Sequence, residues 1–68
     1  MELSARNQLK GTVKTVKSGA VMAEITVSVG AGPVTAAITD SSRERLNLKE
    51  GDQVAVIIKA TEVMIAAQ

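Results

Sequence analysis

The sequence predicts an all-β domain: a five-stranded, partly open barrel with one short helix between strands 3 and 4. Three observations carry this. Apolar residues recur with period two over most of the chain. Gly-containing turns punctuate that alternation. A single helix-start signal, Ser41-Ser42-Arg43-Glu44, interrupts it once.

The elements follow in order. Leu9 to Val16 reads as a first strand of weak alternation, closed by a Lys17-Ser18-Gly19 turn. Residues 20–29 give the clearest strand, with Val21, Ala23, Ile25, Val27 and Val29 alternating against Met22, Glu24, Thr26 and Ser28. Gly30-Ala31-Gly32-Pro33 reads as a loop, because Gly supplies free φ values and Pro lacks the N–H a ladder needs. Val34 to Thr39 resumes as a third strand. Ser41 and Glu44 fit a capping box, with Gly51-Asp52 expected to end the helical turns. Gln53 to Lys59 and Glu62 to Ala67 read as the last two strands, both apolar on two sides. Such strands want cover on both faces, and the outer one is a candidate subunit interface. Three strands, a helix and two strands is the order of the OB-fold.

Sixty-eight residues make one domain, spanning 1–68. A chain of this size buries only about 60% of the surface its unfolded form exposes. Cys, His, Phe, Trp and Tyr are all absent, so disulfides and structural zinc cannot staple it. Yet 46% of the residues are hydrophobic, more than one small core uses, which points to oligomerisation. A net charge of +1 sets up no field that would steer nucleic acid or a membrane. Arg6, Lys10, Lys14 and Lys17 make the first strand locally basic, which also protects a sheet edge from aggregation. No apolar run approaches a membrane span, and no secretory signal pattern is present, so a cytoplasmic location is expected.

Three segments hold the ingredients of an oxyanion site, which needs positive charge and many donors but few acceptors. Ser4-Ala5-Arg6 offers a hydroxyl, amides and a guanidinium fork. Thr39-Asp40-Ser41-Ser42 offers hydroxyls at a helix start, and Lys59-Ala60-Thr61 an ammonium at a bend between strands. Each has a plainer reading as well: a frayed terminus, helix caps and a soluble strand end. Asp40 reads as a capping aid.

Ser-Ala-Arg-Asn-Gln-Leu-Lys-Gly at 4–11, Gly-Ala-Val-Met-Ala-Glu at 19–24, Ala-Ala-Ile-Thr at 36–39, Leu-Lys-Glu-Gly at 48–51 and Lys-Ala-Thr-Glu-Val-Met-Ile at 59–65 resemble the molbindins, the small Mop-type molybdate-binding proteins. The resemblance runs through essentially the whole chain. It implies an OB-like barrel assembled as a hexamer, a trimer of dimers, that holds molybdate or tungstate between subunits. Ser4, Ala5 and Arg6 would join Thr39 and Ser42 of one chain, with Lys59 and Ala60 from a neighbour. A second type of site, built from backbone donors, would fall at the Ser18-Gly19-Ala20 turn. The anion is the ligand, held without direct side-chain ligation of the metal and without a cofactor. The implied role is intracellular molybdenum storage or homeostasis in a free-standing protein.

Two other classes fit less well. OB-folds often bind single-stranded nucleic acid, but they do so by stacking bases on aromatic side chains, and none exist here. An enzyme without His or Cys would need a carboxylate pair or an activated lysine, and the seven acids are scattered. No reaction is expected.

Overall fold

The structure, a computed structural model, describes residues 7–67. Its spine is β1 (Asn7–Ser18), which pairs antiparallel with β2 (Met22–Val29) on one side and β4 (Gln53–Ile58) on the other. β3 (Gly32–Thr39) pairs with the far side of β2, giving the order β3-β2-β1-β4. The helix α1 (Asp40–Leu46) follows β3 and precedes β4, as the sequence predicts.

The weak alternation of β1 has a specific cause. Val13 faces Val27 while Thr15 faces Thr26, so Lys14 is an extra residue forming a β-bulge. The bulge resets the pleat, so that Val13 is buried and Val16, three residues on, packs against the same core. Beside it the ladder to β4 continues through the turn before that strand. The Val13 N–H donates to the Asp52 carbonyl at 2.8 Å, and the Gly51 N–H donates to the Val13 carbonyl at 2.8 Å. Gly51 sits at φ +92°, a conformation that favours glycine.

Among the described residues, Val13, Ala23, Ile25 and Val27 are buried, with Val29, Ile38, Leu48, Val54 and Val56 packed around them. β2 therefore behaves as its alternation predicts, except that Val21 lies outside the strand and is exposed. Pro33, expected in a loop, stands inside β3 opposite Ser28. An edge strand tolerates its missing N–H.

The helix start is corrected by two residues. The N-cap is Thr39, extended at φ −67°, ψ 148°, rather than Ser41. The Ser42 N–H donates to Thr39 Oγ1 at 3.2 Å, and the Thr39 hydroxyl donates to Ser42 Oγ at 2.7 Å. The ladder holds Thr39 extended opposite Met22, so the last extended residue becomes the cap and Ser41 is already helical. The end also differs. Asn47 adopts the left-handed conformation (φ 52°) and its N–H donates to the Glu44 carbonyl at 3.0 Å, ahead of Gly51-Asp52. Thr39→Ala is expected to cost about 1 kcal/mol. Thermal melts would show this as a drop of roughly 4–8 °C.

The fifth strand expected at 62–67 is not formed among the described residues. After β4 the chain makes one 3-10 turn, Ala60–Glu62, and residues 63–67 then run on unpaired. A strand exists only against a partner ladder, and among the described residues both sheet edges, β3 and β4, remain open.

Candidate oxyanion-binding site

At one end of the sheet, β3 delivers Thr39 and the first helical turn delivers Ser42. Their hydroxyls are bonded to each other, and Arg45 Nη2 donates to Ser42 Oγ at 3.2 Å. Arg45 is a cation of the helix that stands outside the three oxyanion segments of the sequence. Its i,i+3 spacing from Ser42 was the available signal. Asp40 is bound to Arg43, whose Nε donates to Asp40 Oδ1 at 2.7 Å and Nη2 to Oδ2 at 3.3 Å. This carboxylate is thus occupied by a guanidinium and, among the described residues, accepts from no helix amide, so the capping expected of Asp40 falls to Thr39. The Asp40 N–H donates to the Val21 carbonyl at 2.7 Å and ties the helix to the turn before β2.

The Arg43 hydrogen bonds hold the Asp40 carboxyl below its ordinary value near 3.8, against a smaller opposing effect of burial. Because the folded value is the lower one, the pair's stabilisation is full above the unfolded pKa. It is lost as pH falls through the folded value. Melts compared at neutral pH and below about pH 4 should show an acid-sensitive component. Asp40→Asn should lack that component, and equal acid sensitivity in both proteins would remove the pair as its source.

The Ser18-Gly19-Ala20 turn lies at this same end, since Ser18 pairs with Ala23 and Met22 with Thr39. The Gly19 N–H donates to the Met22 carbonyl at 2.9 Å. A Cβ at Gly19 would meet that carbonyl oxygen at 2.6 Å, so the turn accepts only glycine without rearranging.

At the other end, Asn7 pairs with Ile58, and Lys59 follows in extended conformation (φ −64°, ψ 136°). The Glu62 N–H donates to the Lys59 carbonyl at 2.8 Å and closes the turn. Among the described residues, nothing accepts from the Ala60 and Thr61 N–H groups, and Lys59 forms no ion pair. The first amides of a helical turn are donors looking for an acceptor. An ammonium beside two such amides is suited to an anion.

Of the seven main-site residues, Ser4, Ala5 and Arg6 lie outside the described residues. Thr39 and Ser42 come together, and so do Lys59 and Ala60. The two pairs do not meet within one chain. The 12 residues of β1 separate the two ends of the sheet, a span of roughly 30 Å or more at strand rise. The molecule's long axis is 35 Å. Among the described residues no group of three or more His, Cys, Asp or Glu is placed to hold a metal ion. No described helix is long and apolar enough to cross a membrane.

Fold and site together define a small OB-like domain with separate clusters of anion-suited donors at its two ends. The TOBE domain family matches residues 3–65. Molybdenum-pterin-binding protein 3 of Clostridium pasteurianum is 48% identical over 98% of this chain and 100% of its own length. A probable molybdenum-pterin-binding protein of Haemophilus influenzae is 39% identical over the full length of both. Among solved structures, a molybdate-binding protein from Sporomusa ovata superposes with a TM-score of 0.94 at 40% identity, covering 98% of this chain and 100% of that one. MopII from Clostridium pasteurianum superposes at 0.90 with 43% identity, covering 97% and 100%. This chain belongs to the TOBE-domain family and, within it, to the Mop-type molbindins.

Proposed function

We propose that this protein binds molybdate reversibly at sites shared between copies of the chain, as a cytoplasmic store or buffer of the anion. The observation that carries this reading is the separation just described: hydroxyls at one end of the sheet, the Lys59 turn at the other. An anion that needs both must draw them from two chains, as the pairing of Lys59 and Ala60 with a neighbour's Thr39 and Ser42 requires. The relatives named for molybdate and molybdenum-pterin binding support the choice of ligand.

Ser4, Ala5 and Arg6 complete the donor set. We group them with Lys59 and Ala60 of their own chain, rather than with Thr39 and Ser42. What supports this is the pairing of Asn7 with Ile58: three residues of chain reach at most about 11 Å from Asn7, well short of Thr39 in the same chain. Arg6 and Lys59 would then bring two positive charges to a dianion, and Thr39 and Ser42 of the neighbour would bring hydroxyls. A near-neutral complex offsets the cost of taking the anion out of water. A fully deprotonated tetrahedral dianion matches a donor-only cage, whereas protonated phosphate would turn a donor of its own onto other donors. Tungstate, close to molybdate in size and charge, should bind as well. The chemistry is capture and release by hydrogen bonds and charge, and no bond is made or broken. The Ser18-Gly19-Ala20 turn remains the candidate for a second, backbone-built site.

Titration calorimetry with molybdate, tungstate, sulfate and phosphate tests the reading. Saturable binding of the first two, much weaker for the others, is expected. No heat with molybdate, and no molybdenum in the eluted protein, would overturn it.

A further inference from the structure

The hydroxyls where β3 meets α1 hold few protons, and each can be followed. A serine or threonine hydroxyl has one proton to donate and two lone pairs that accept. The Thr39 proton goes to Ser42 Oγ at 2.7 Å. Both Thr39 lone pairs are taken as well. The Ser42 N–H donates to one at 3.2 Å. Ser41 Oγ lies 3.3 Å from Thr39 Oγ1, and it must be the donor, because the Thr39 proton is already engaged. Thr39 therefore has no proton left for a ligand.

Ser42 is in the opposite state. Its Oγ accepts twice, from Thr39 and from Arg45 Nη2 at 3.2 Å. Both of its lone pairs are filled, while among the described residues its own proton meets no acceptor. The acids beside it in the chain do not compete. Arg43 bonds both oxygens of Asp40 and reaches Glu44 Oε1 at 3.4 Å. Arg45 joins no ion pair among the described residues, and its hydrogen bond goes to a neutral hydroxyl instead.

We infer that Arg45 is a positioning and specificity-determining residue of the oxyanion site. By filling the second lone pair of Ser42 Oγ, it fixes that hydroxyl as a pure donor offered to the anion. On the molybdate-binding reading, from which this follows, the two hydroxyls divide the work: Ser42 gives a proton, and Thr39 and Arg45 hold it in place. The consequence is selective. Molybdate presents acceptors only and takes the Ser42 proton. Monohydrogen phosphate carries a proton of its own, which Ser42 Oγ has no lone pair left to receive. Without the guanidinium one lone pair is freed, and Ser42 becomes able to accept from the protonated anion. Arg45 is exposed, so its bare charge acts through screening solvent, and orientation is its main contribution.

The test measures molybdate binding by calorimetry, and phosphate binding by displacement of molybdate, in the full chain and two variants. Arg45→Met keeps a long side chain and removes every donor. Its ratio of molybdate to phosphate affinity should fall roughly tenfold, the loss of one oriented hydrogen bond to a charged ligand. That fall should persist in ~0.5 M salt, where a contribution from charge alone is screened out. Arg45→Lys restores a donor and should recover most of the ratio. A general loosening of the helix would weaken both anions together and leave the ratio where it was. An unchanged ratio in Arg45→Met, a fall that salt abolishes, or no recovery in Arg45→Lys would overturn the inference while leaving molybdate binding in place. Absence of molybdate binding in the unaltered protein would remove the proposed function and this role of Arg45 with it.

Discussion

Lys59→Ala should weaken molybdate binding by roughly a hundredfold, with the fold and the state of assembly unchanged. The ammonium is exposed and unpaired among the described residues of one chain, so its removal leaves no buried partner there and breaks no packing. Its whole effect should therefore appear in the anion complex, where a hydrogen bond to a charged group is among the stronger ones and every tenfold in affinity is one decade of Kd. Arg6→Ala should have a loss of the same order, because a guanidinium offers a fork of donors matched to an oxyanion. Lys59→Arg is the informative control, since it keeps the charge and alters the geometry. Calorimetry on the three variants, with circular dichroism beside it, checks this. Unchanged affinity in either alanine variant removes that residue from the site.

Gly11→Ala should destabilise the protein by about 2–3 kcal/mol, a lowering of the melting temperature by some 10 °C or more. Gly11 lies in β1 between Val29 of β2 and Val54 of β4, so strands flank it on both sides. A methyl group there would strike the Ser28 carbonyl oxygen, and it would also come within 2.8 Å of Val27 Cγ1 and 2.9 Å of Val29 Cγ1. The first of these is backbone and cannot step aside as a side-chain tip would. Relief has to come from moving β1 off β2, which disturbs the buried Val13 and Val27 next to it. For a domain with four buried hydrophobic side chains among its described residues this is a large share of the total stability. A melting temperature equal to that of the unaltered protein would mean that the two strands do not approach so closely.

How much of this was legible in the sequence depended on whether a residue's fate is set by its neighbours in the chain. β2 was legible because it is paired on both sides and its alternation is unbroken. β1 was legible only as a weak strand, since Lys14 is inserted at a bulge and alternation cannot survive an odd residue. The helix was placed correctly between β3 and β4, but its cap was not. Ser41 and Glu44 satisfy the local rule, yet the ladder to Met22 decides where extended backbone ends. The segment 62–67 has a strand's composition and lacks a strand's partner. Pattern reports what a segment can pair with and is silent on whether the partner lies in the same chain. The candidate site divides in the same way. Residue chemistry pointed to Thr39, Ser42, Lys59 and Ala60, but their placement at opposite ends follows from sheet order. The Arg45 bond to Ser42 needed the helix register as well.

Each anion site is proposed to be shared between two chains, and mixing two inactive variants tests that sharing most directly. Lys59→Ala lacks one half of the set, and the double variant Thr39→Ala/Ser42→Ala lacks the other. Co-refolded in equal amounts, they should recover molybdate binding at roughly a quarter of the sites, because some boundaries then unite two intact halves. Co-assembly of the two variants with no recovery of binding would show that each chain carries a whole site of its own, and would contradict the account.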